Sequence, residues 1–152
     1  MLSKKEIRVS WRYLPTFQKY VKKHYKGKVD FIIGILRGGG ALAIAASNIL
    51  DLPVFFIHTK RYNGRSAGAW ICESYGEVTA EMIKDKRILI IDDLIDEGVT
   101  MENVKSYVLQ WQPSEVRCLV MLTKDVEFCK RLNVDYLRTV AKGTWIILPW
   151  EE

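Results

Sequence analysis

RILIIDDLIDEGVT, residues Arg87–Thr100, runs four aliphatic side chains straight into two adjacent carboxylates, then into a second acidic pair followed by Gly98, Val99 and Thr100. A short, nearly continuous apolar run is the pattern of a strand covered on both faces. Four carboxylates gathered at the end of such a strand repel one another, so something cationic or rich in hydroxyls belongs beside them. A helix is expected from about Val99 to Gln110, which places the acidic turn at a helix N-terminus. Free backbone N–H groups and the helix dipole favour anions there.

The same rhythm recurs on either side. Leu14, Phe17 and Val21, with Tyr20 and Tyr25, are spaced as the apolar stripe of a first helix ending near Gly27. VDFIIGIL (29–36) reads as a strand, Gly38, Gly39 and Gly40 break it, and ALAIAASNIL (41–50) reads as a small-residue helix. PVFFIHTK (53–60), EVRCLVML (115–122) and VDYLRTV (134–140) are further strands. Strand, glycine loop, helix and strand in alternation predict an α/β fold, a mostly parallel twisted sheet flanked by helices. Residues 61–79 are polar and punctuated by Gly64, Gly68 and Gly76, with no sustained period. A loop of that length in a compact domain is usually functional or mobile.

Composition narrows the class. The chain has 152 residues, 49% hydrophobic and 27% charged, which fits one domain without linker or repeat. The net charge of +5 suits an anionic ligand. Lys19, Lys22, Lys23, Lys26 and Lys28 read as a solvated helix face, and no stacking pattern or binding motif points to nucleic acid. Cys72, Cys118 and Cys129 form no CxxC pair and, with His24 and His58, no zinc signature. Free thiols, with no signal peptide and no long apolar span, point to the cytoplasm and against stable membrane insertion.

In open parallel sheets ligands sit beyond the carboxyl ends of the strands, where LRGGG (36–40) and DDLIDEGVT (92–100) both fall. GGGALA also fits the loose dinucleotide pattern G-x-G-x-x-A, but the expected ribose-binding acid is missing where His58, Thr59 and Lys60 end the next strand. No G-x-x-x-x-G-K-[ST] occurs. Either loop alone is as well explained by a structural turn or a capped strand end, and the weight comes from having both.

Ile88–Thr100 resembles the phosphoribosyl-pyrophosphate signature of the type I phosphoribosyltransferases: four apolar residues, two acids, two apolar residues, then a turn like Asp-Thr-Gly-x-Thr. LRGGG resembles that family's pyrophosphate loop. MLTKD followed by KGTWIILPWEE is similar to the small purine enzymes of the xanthine-guanine type. The resemblance implies a single domain over 1–152, with a core at about 27–140, a hood from the C-terminal segment at about 124–152 and a mobile catalytic loop at about 61–76. It implies transfer of a phosphoribosyl group from phosphoribosyl pyrophosphate to a 6-oxopurine (guanine, hypoxanthine or xanthine), giving a nucleoside monophosphate.

Roles follow from the same resemblance. Asp92 and Asp93 would hold the ribose hydroxyls and Mg²⁺, directly or through its water. The amides of Asp96, Glu97, Gly98, Val99 and Thr100, with the Thr100 hydroxyl, would wrap the 5′-phosphate. Asp96 would be the catalytic residue, taking or stabilising the purine proton. Arg37, Gly38 and Gly39 would bind the pyrophosphate, and the Leu36–Arg37 bond can be cis. Lys124 would donate to the purine 6-oxygen, Trp145 would stack on the base and Ile146 would offer backbone groups to its edge. Arg61-Tyr62 would be the loop's hinge and Arg65 would reach the pyrophosphate. Relatives are commonly dimers or tetramers, which implies a homo-oligomer. Glu97 departs from the pattern, standing where the family usually has Thr or Ser. That leaves two alternatives: a nucleotide-binding regulator without turnover, and a transferase for another nucleobase.

Overall fold

The structure, a computed structural model, describes residues 5–61, 70–75 and 78–152, with side chains within 5–59 and 78–152. In chain order the elements are β1 (Glu6–Arg8), a 3₁₀ turn (Trp11–Tyr13), α1 (Leu14–Tyr25), β2 (Phe31–Leu36), α2 (Gly40–Leu50) and β3 (Val54–Arg61). Then follow β4 (Trp70–Tyr75), α3 (Ala80–Ile83), β5 (Arg87–Ile95), α4 (Val99–Leu109), β6 (Glu115–Thr123), α5 (Val126–Leu132), β7 (Val134–Thr139) and β8 (Trp145–Ile147).

Six strands form one sheet in the order β4-β3-β2-β5-β6-β7, parallel throughout except for β4, which runs antiparallel to β3. Period-two alternation along β5 divides its aliphatic run between two cores. Leu89 and Ile91 join Phe17, Val21, Leu42 and Ala46 beneath α1 and α2. Ile88 and Ile90 join Met101, Val104, Val108 and Phe128 beneath α4 and α5. All four are fully buried, each stabilising the fold by about 1.5–3 kcal/mol relative to exposure. A strand covered on both faces is what the unbroken apolar run predicted.

The chain leaves β2 through α2 toward β3 on one side, and leaves β5 through α4 toward β6 on the other. The adjacent pair β2 and β5 is therefore the switch point, where the two loops diverge and open a crevice.

Three parts of the fold differ from expectation. Residues 61–79 are not all loop: Trp70–Tyr75 pairs with Phe56–Arg61 as an antiparallel edge strand. Its Trp, Ile and Tyr favour a strand, but the surrounding glycines masked it. Residues 62–69, 76 and 77, which include Tyr62, Arg65 and most of the expected mobile loop, lie outside the described residues. The hood is not made by the C-terminal segment alone, because β1 pairs in parallel with β8, Ile7 opposite Ile146. A three-residue strand has no period long enough to be read from sequence. Finally, α5 follows β6 directly, started by Asp125, whose side chain accepts the Phe128 N–H at 2.9 Å. Among the described residues no helix is long and apolar enough to cross a membrane.

Candidate active site

Asp92 and Asp93 lie near the end of β5, and both border the space beyond the strand end. Asp92 is 8% exposed. Burial, then the neighbouring Asp93 carboxylate, pushes its acid well above the ordinary carboxylate range, and burial raises Asp93 as well. The Asp92 carboxylate accepts the Asp93 N–H at 2.8 Å, but no ion pair reaches either aspartate among the described residues. A buried and a half-buried carboxyl side by side, with no cation between them, are costly to ionise together.

The loop after β2 is laid directly on this pair. A Cβ placed on Gly38 would come within 2.0 Å of an Asp93 carboxylate oxygen. One on Gly39 would come within 2.6 Å of the Ile91 carbonyl and 2.8 Å of the Ile35 carbonyl. Only glycine permits that approach. The Leu36–Arg37 peptide bond is cis. The Gly39 N–H donates to Ile35 O at 2.8 Å and the Gly40 N–H to Arg37 O at 3.1 Å. Gly39 thus serves the close contact with β5, while the amides of Arg37 and Gly38 carry no hydrogen bond among the described residues and remain for an anion.

Two connected pockets result. One, of about 640 Å³, is bounded by Arg37, Gly38, Thr59, Asp92, Asp93 and Thr100, and by Trp150 and Glu151 from the tail. The other, of about 280 Å³, is lined by Asp92 and by Leu94–Met101, the turn into α4. Asp92 and Thr100 stand in the walls of both. At the turn Gly98 has φ +82° and lies against the Phe128 ring, where a Cβ would fall 2.3 Å from ring carbons. The first amides of α4 have no intrahelical acceptor and face this pocket, the geometry of an anion cradle. No lysine or arginine among the described residues lines it, and Glu97 does.

Lys124 leaves the end of β6 with its side chain only 8% exposed and its Nζ 3.4 Å from Asp96 Oδ2. Its backbone N–H is fixed to Ile95 O at 2.8 Å. An ammonium held in a nearly buried position beside an exposed carboxylate offers one donor and one proton acceptor at the same spot. Trp145 and Ile146 line neither pocket. Trp145 is 59% exposed, and Ile146 packs into the core beneath α1 and α2. Trp145 N donates to Lys5 O at 2.8 Å, and Ile147 O accepts from Val9 N at 2.9 Å. By the alternation of a parallel ladder, the Ile146 N–H and C=O point away from β1.

Residues 16–147 match the sequence profile of the phosphoribosyl transferase domain. The chain belongs to that family. This phosphoribosyl transferase domain is 25% identical to the hypoxanthine-guanine phosphoribosyltransferase of Streptococcus pneumoniae over 75% of its own length, a match spanning 64% of that relative. It is 32% identical to the xanthine-guanine phosphoribosyltransferase of Cereibacter sphaeroides, over 79% of this chain and 68% of that one. A purine phosphoribosyltransferase from Pyrococcus horikoshii superposes with a TM-score of 0.77 at 27% identity, covering 97% of this chain and 95% of that structure.

Sequence reasoning missed two wall residues of this phosphoribosyl transferase site and one residue behind its wall. Glu151 faces Asp93 closely enough to raise its acid further, and accepts the Leu148 N–H at 2.8 Å. Trp150 buries its indole N–H without a partner among the described residues. Phe128 backs the Gly98 turn. The first two are remote in sequence from β5, and Phe128 sits in an unexpected helix, so no local spacing pointed to any of them.

Proposed function

We propose that this domain transfers the 5-phosphoribosyl group of phosphoribosyl pyrophosphate to a 6-oxopurine, releasing pyrophosphate and a nucleoside monophosphate for purine salvage. One observation carries the reading: an adjacent carboxylate pair, Asp92 buried and Asp93 half-buried, separates a free-amide loop from a helix-start anion cradle, with Lys124 and Asp96 joined at one side. The donor has the matching parts, two anionic ends and a diol between them.

Asp92 and Asp93 bind the ribose hydroxyls and oppose the positive charge that develops on the sugar as its C1 bond to pyrophosphate breaks. The amides from Glu97 to Thr100 hold the 5′-phosphate, and those of Arg37 and Gly38, with the Arg37 side chain, hold the pyrophosphate. Asp96 accepts the proton leaving the attacking purine nitrogen. Lys124 donates to the 6-oxygen, which disfavours adenine because its 6-amino group is itself a donor. Trp145, exposed on the hood, offers a stacking face, and Ile146 offers its outward backbone groups to the N1/N2 edge.

Mg²⁺ fits the donor set. No group of three or more candidate metal ligands occurs among the described residues, whereas Mg²⁺ is commonly held by one or two carboxylates with substrate phosphates and water. Asp92 and Asp93 would hold it, with Glu151 in reach of the same pocket, and it would neutralise charge on the leaving pyrophosphate. We also propose a homodimer or homotetramer acting in the cytoplasm.

The test is to mix the protein with Mg²⁺, phosphoribosyl pyrophosphate and, in turn, guanine, hypoxanthine, xanthine, adenine, uracil and orotate. Product with the 6-oxopurines is expected, and product only with another base would move the assignment to that base. A nucleotide-binding regulator without turnover is the second reading, favoured by Glu97 in a phosphate cradle that no lysine or arginine lines among the described residues. Tight nucleotide binding with no product from any base would establish it.

A further inference from the structure

A separate concavity of about 320 Å³ lies between hood strand β1 and the outer end of edge strand β7, and it shares no wall residue with the two pockets above. Val9, Leu122 and Val140 give it an apolar floor continuous with the core beneath α1 and α2. Arg8, Arg12 and Arg138 stand around it.

These arginines are not equivalent. Arg8 is neutralised by Glu6 and Glu152. Arg138 lies 5.8 Å over the Tyr13 ring, so its guanidinium is set against an uncharged partner. Neither Arg138 nor Arg12 meets a carboxylate among the described residues. Two uncompensated guanidinium groups therefore converge on one apolar hollow. A planar donor fork beside an apolar floor suits a carboxylate or phosphate carried on a flat hydrophobic body, and the volume is that of a small-ligand site.

We propose that this concavity binds a small organic anion, through Arg12 and Arg138, independently of the switch-point site. The test uses the full chain with benzoate and phenyl phosphate as probes and benzamide as the uncharged analogue of benzoate, followed by titration calorimetry with and without Mg²⁺ and phosphoribosyl pyrophosphate. The expected result is binding of at least one anion, benzamide at least about tenfold weaker, and no change when the donor is added. Arg12→Gln and Arg138→Gln should each weaken the anion about tenfold, as loss of one charge-assisted hydrogen bond would, with the melting temperature retained. Arg12 lies on an exposed turn, so its variant keeps the test open should Arg138→Gln fold poorly. The preferred probe identifies carboxylate or phosphate as the recognised group. Equal binding of benzamide, absence of binding by both anions, undiminished binding in both variants, or displacement by phosphoribosyl pyrophosphate would each overturn the proposal. Since neither arginine lines the switch-point pockets, failure here leaves the proposed transferase reading standing, and failure of that reading leaves this one.

Discussion

Asp96 and Glu97 are neighbours on one turn with opposite expected effects on substitution. Asp96→Asn removes a proton acceptor while keeping shape, so kcat should fall about 10²–10⁴-fold while donor affinity changes little; a near-normal turnover rate would reject the role. Glu97→Thr exchanges a like charge in the phosphate cradle for a hydroxyl, and donor affinity should stay equal or tighten. Weaker binding in a direct titration would mean that the carboxylate contributes favourably. Thr100→Val should weaken donor binding about tenfold, the loss of one hydrogen bond, and unchanged affinity would count against the hydroxyl contact. At this scale the sequence located Asp92, Asp93 and Lys124 at strand ends, because a strand end fixes where its next side chains go. It was a poorer guide to Gly39: its identity was legible as a phosphate-loop glycine, yet its amide is consumed by Ile35 and its value is the close approach to β5. Pairing of that kind depends on how two strands sit side by side, which no single stretch records.

The elements around the crevice differ in how much change they tolerate. Gly39 is closed in by the Ile91 and Ile35 carbonyls, which belong to the sheet and have little freedom to yield. Gly39→Ala should therefore cost stability, on the order of 1–3 kcal/mol, read from denaturant unfolding. At Gly38 the obstructing group is the Asp93 carboxylate, which can rotate; Gly38→Ala should leave the fold intact and weaken donor binding instead. A fully stable Gly39→Ala protein would show that the loop can lift away from β5. β2, β5, β6 and α4 were visible in sequence because each shows a sustained apolar pattern. β1 and α5 were not, because a segment of a few residues shows no repeat and takes its structure from what it packs against. The edge strand β4 falls between these cases, with strand-forming residues set in a polar stretch whose pairing only β3 supplies.

For the whole molecule, two sets of carboxylates bias stability in opposite directions. Asp30 binds the Arg87 side chain at 2.9 and 3.1 Å and its backbone N–H at 2.8 Å, which lowers its acid from 3.8 to about 2. A lowered acid stabilises the fold above its unfolded value, and that contribution is lost as pH falls toward about 2. Asp92 and Asp93 are raised, so their contribution is present at acidic pH and is lost as pH rises through the raised values. Without ligand, the melting temperature should therefore decline as pH rises above the ordinary carboxylate range, and an Asp92→Asn, Asp93→Asn double variant should flatten that decline. Adding Mg²⁺ with pyrophosphate should raise the melting temperature more at the alkaline end; an equal increase at every pH would separate the pair from the metal. The pairing of β1 with β8 carries its own consequence for biosynthesis. A chain emerging from the ribosome can complete its six-stranded sheet with residue 139 and still lack the roof of its proposed base site. The first few residues must wait, unpaired, for Trp145–Ile147 to arrive. A fragment stopped just after β7 should thus fold its sheet yet remain inert, giving a built-in delay between acquiring shape and acquiring activity.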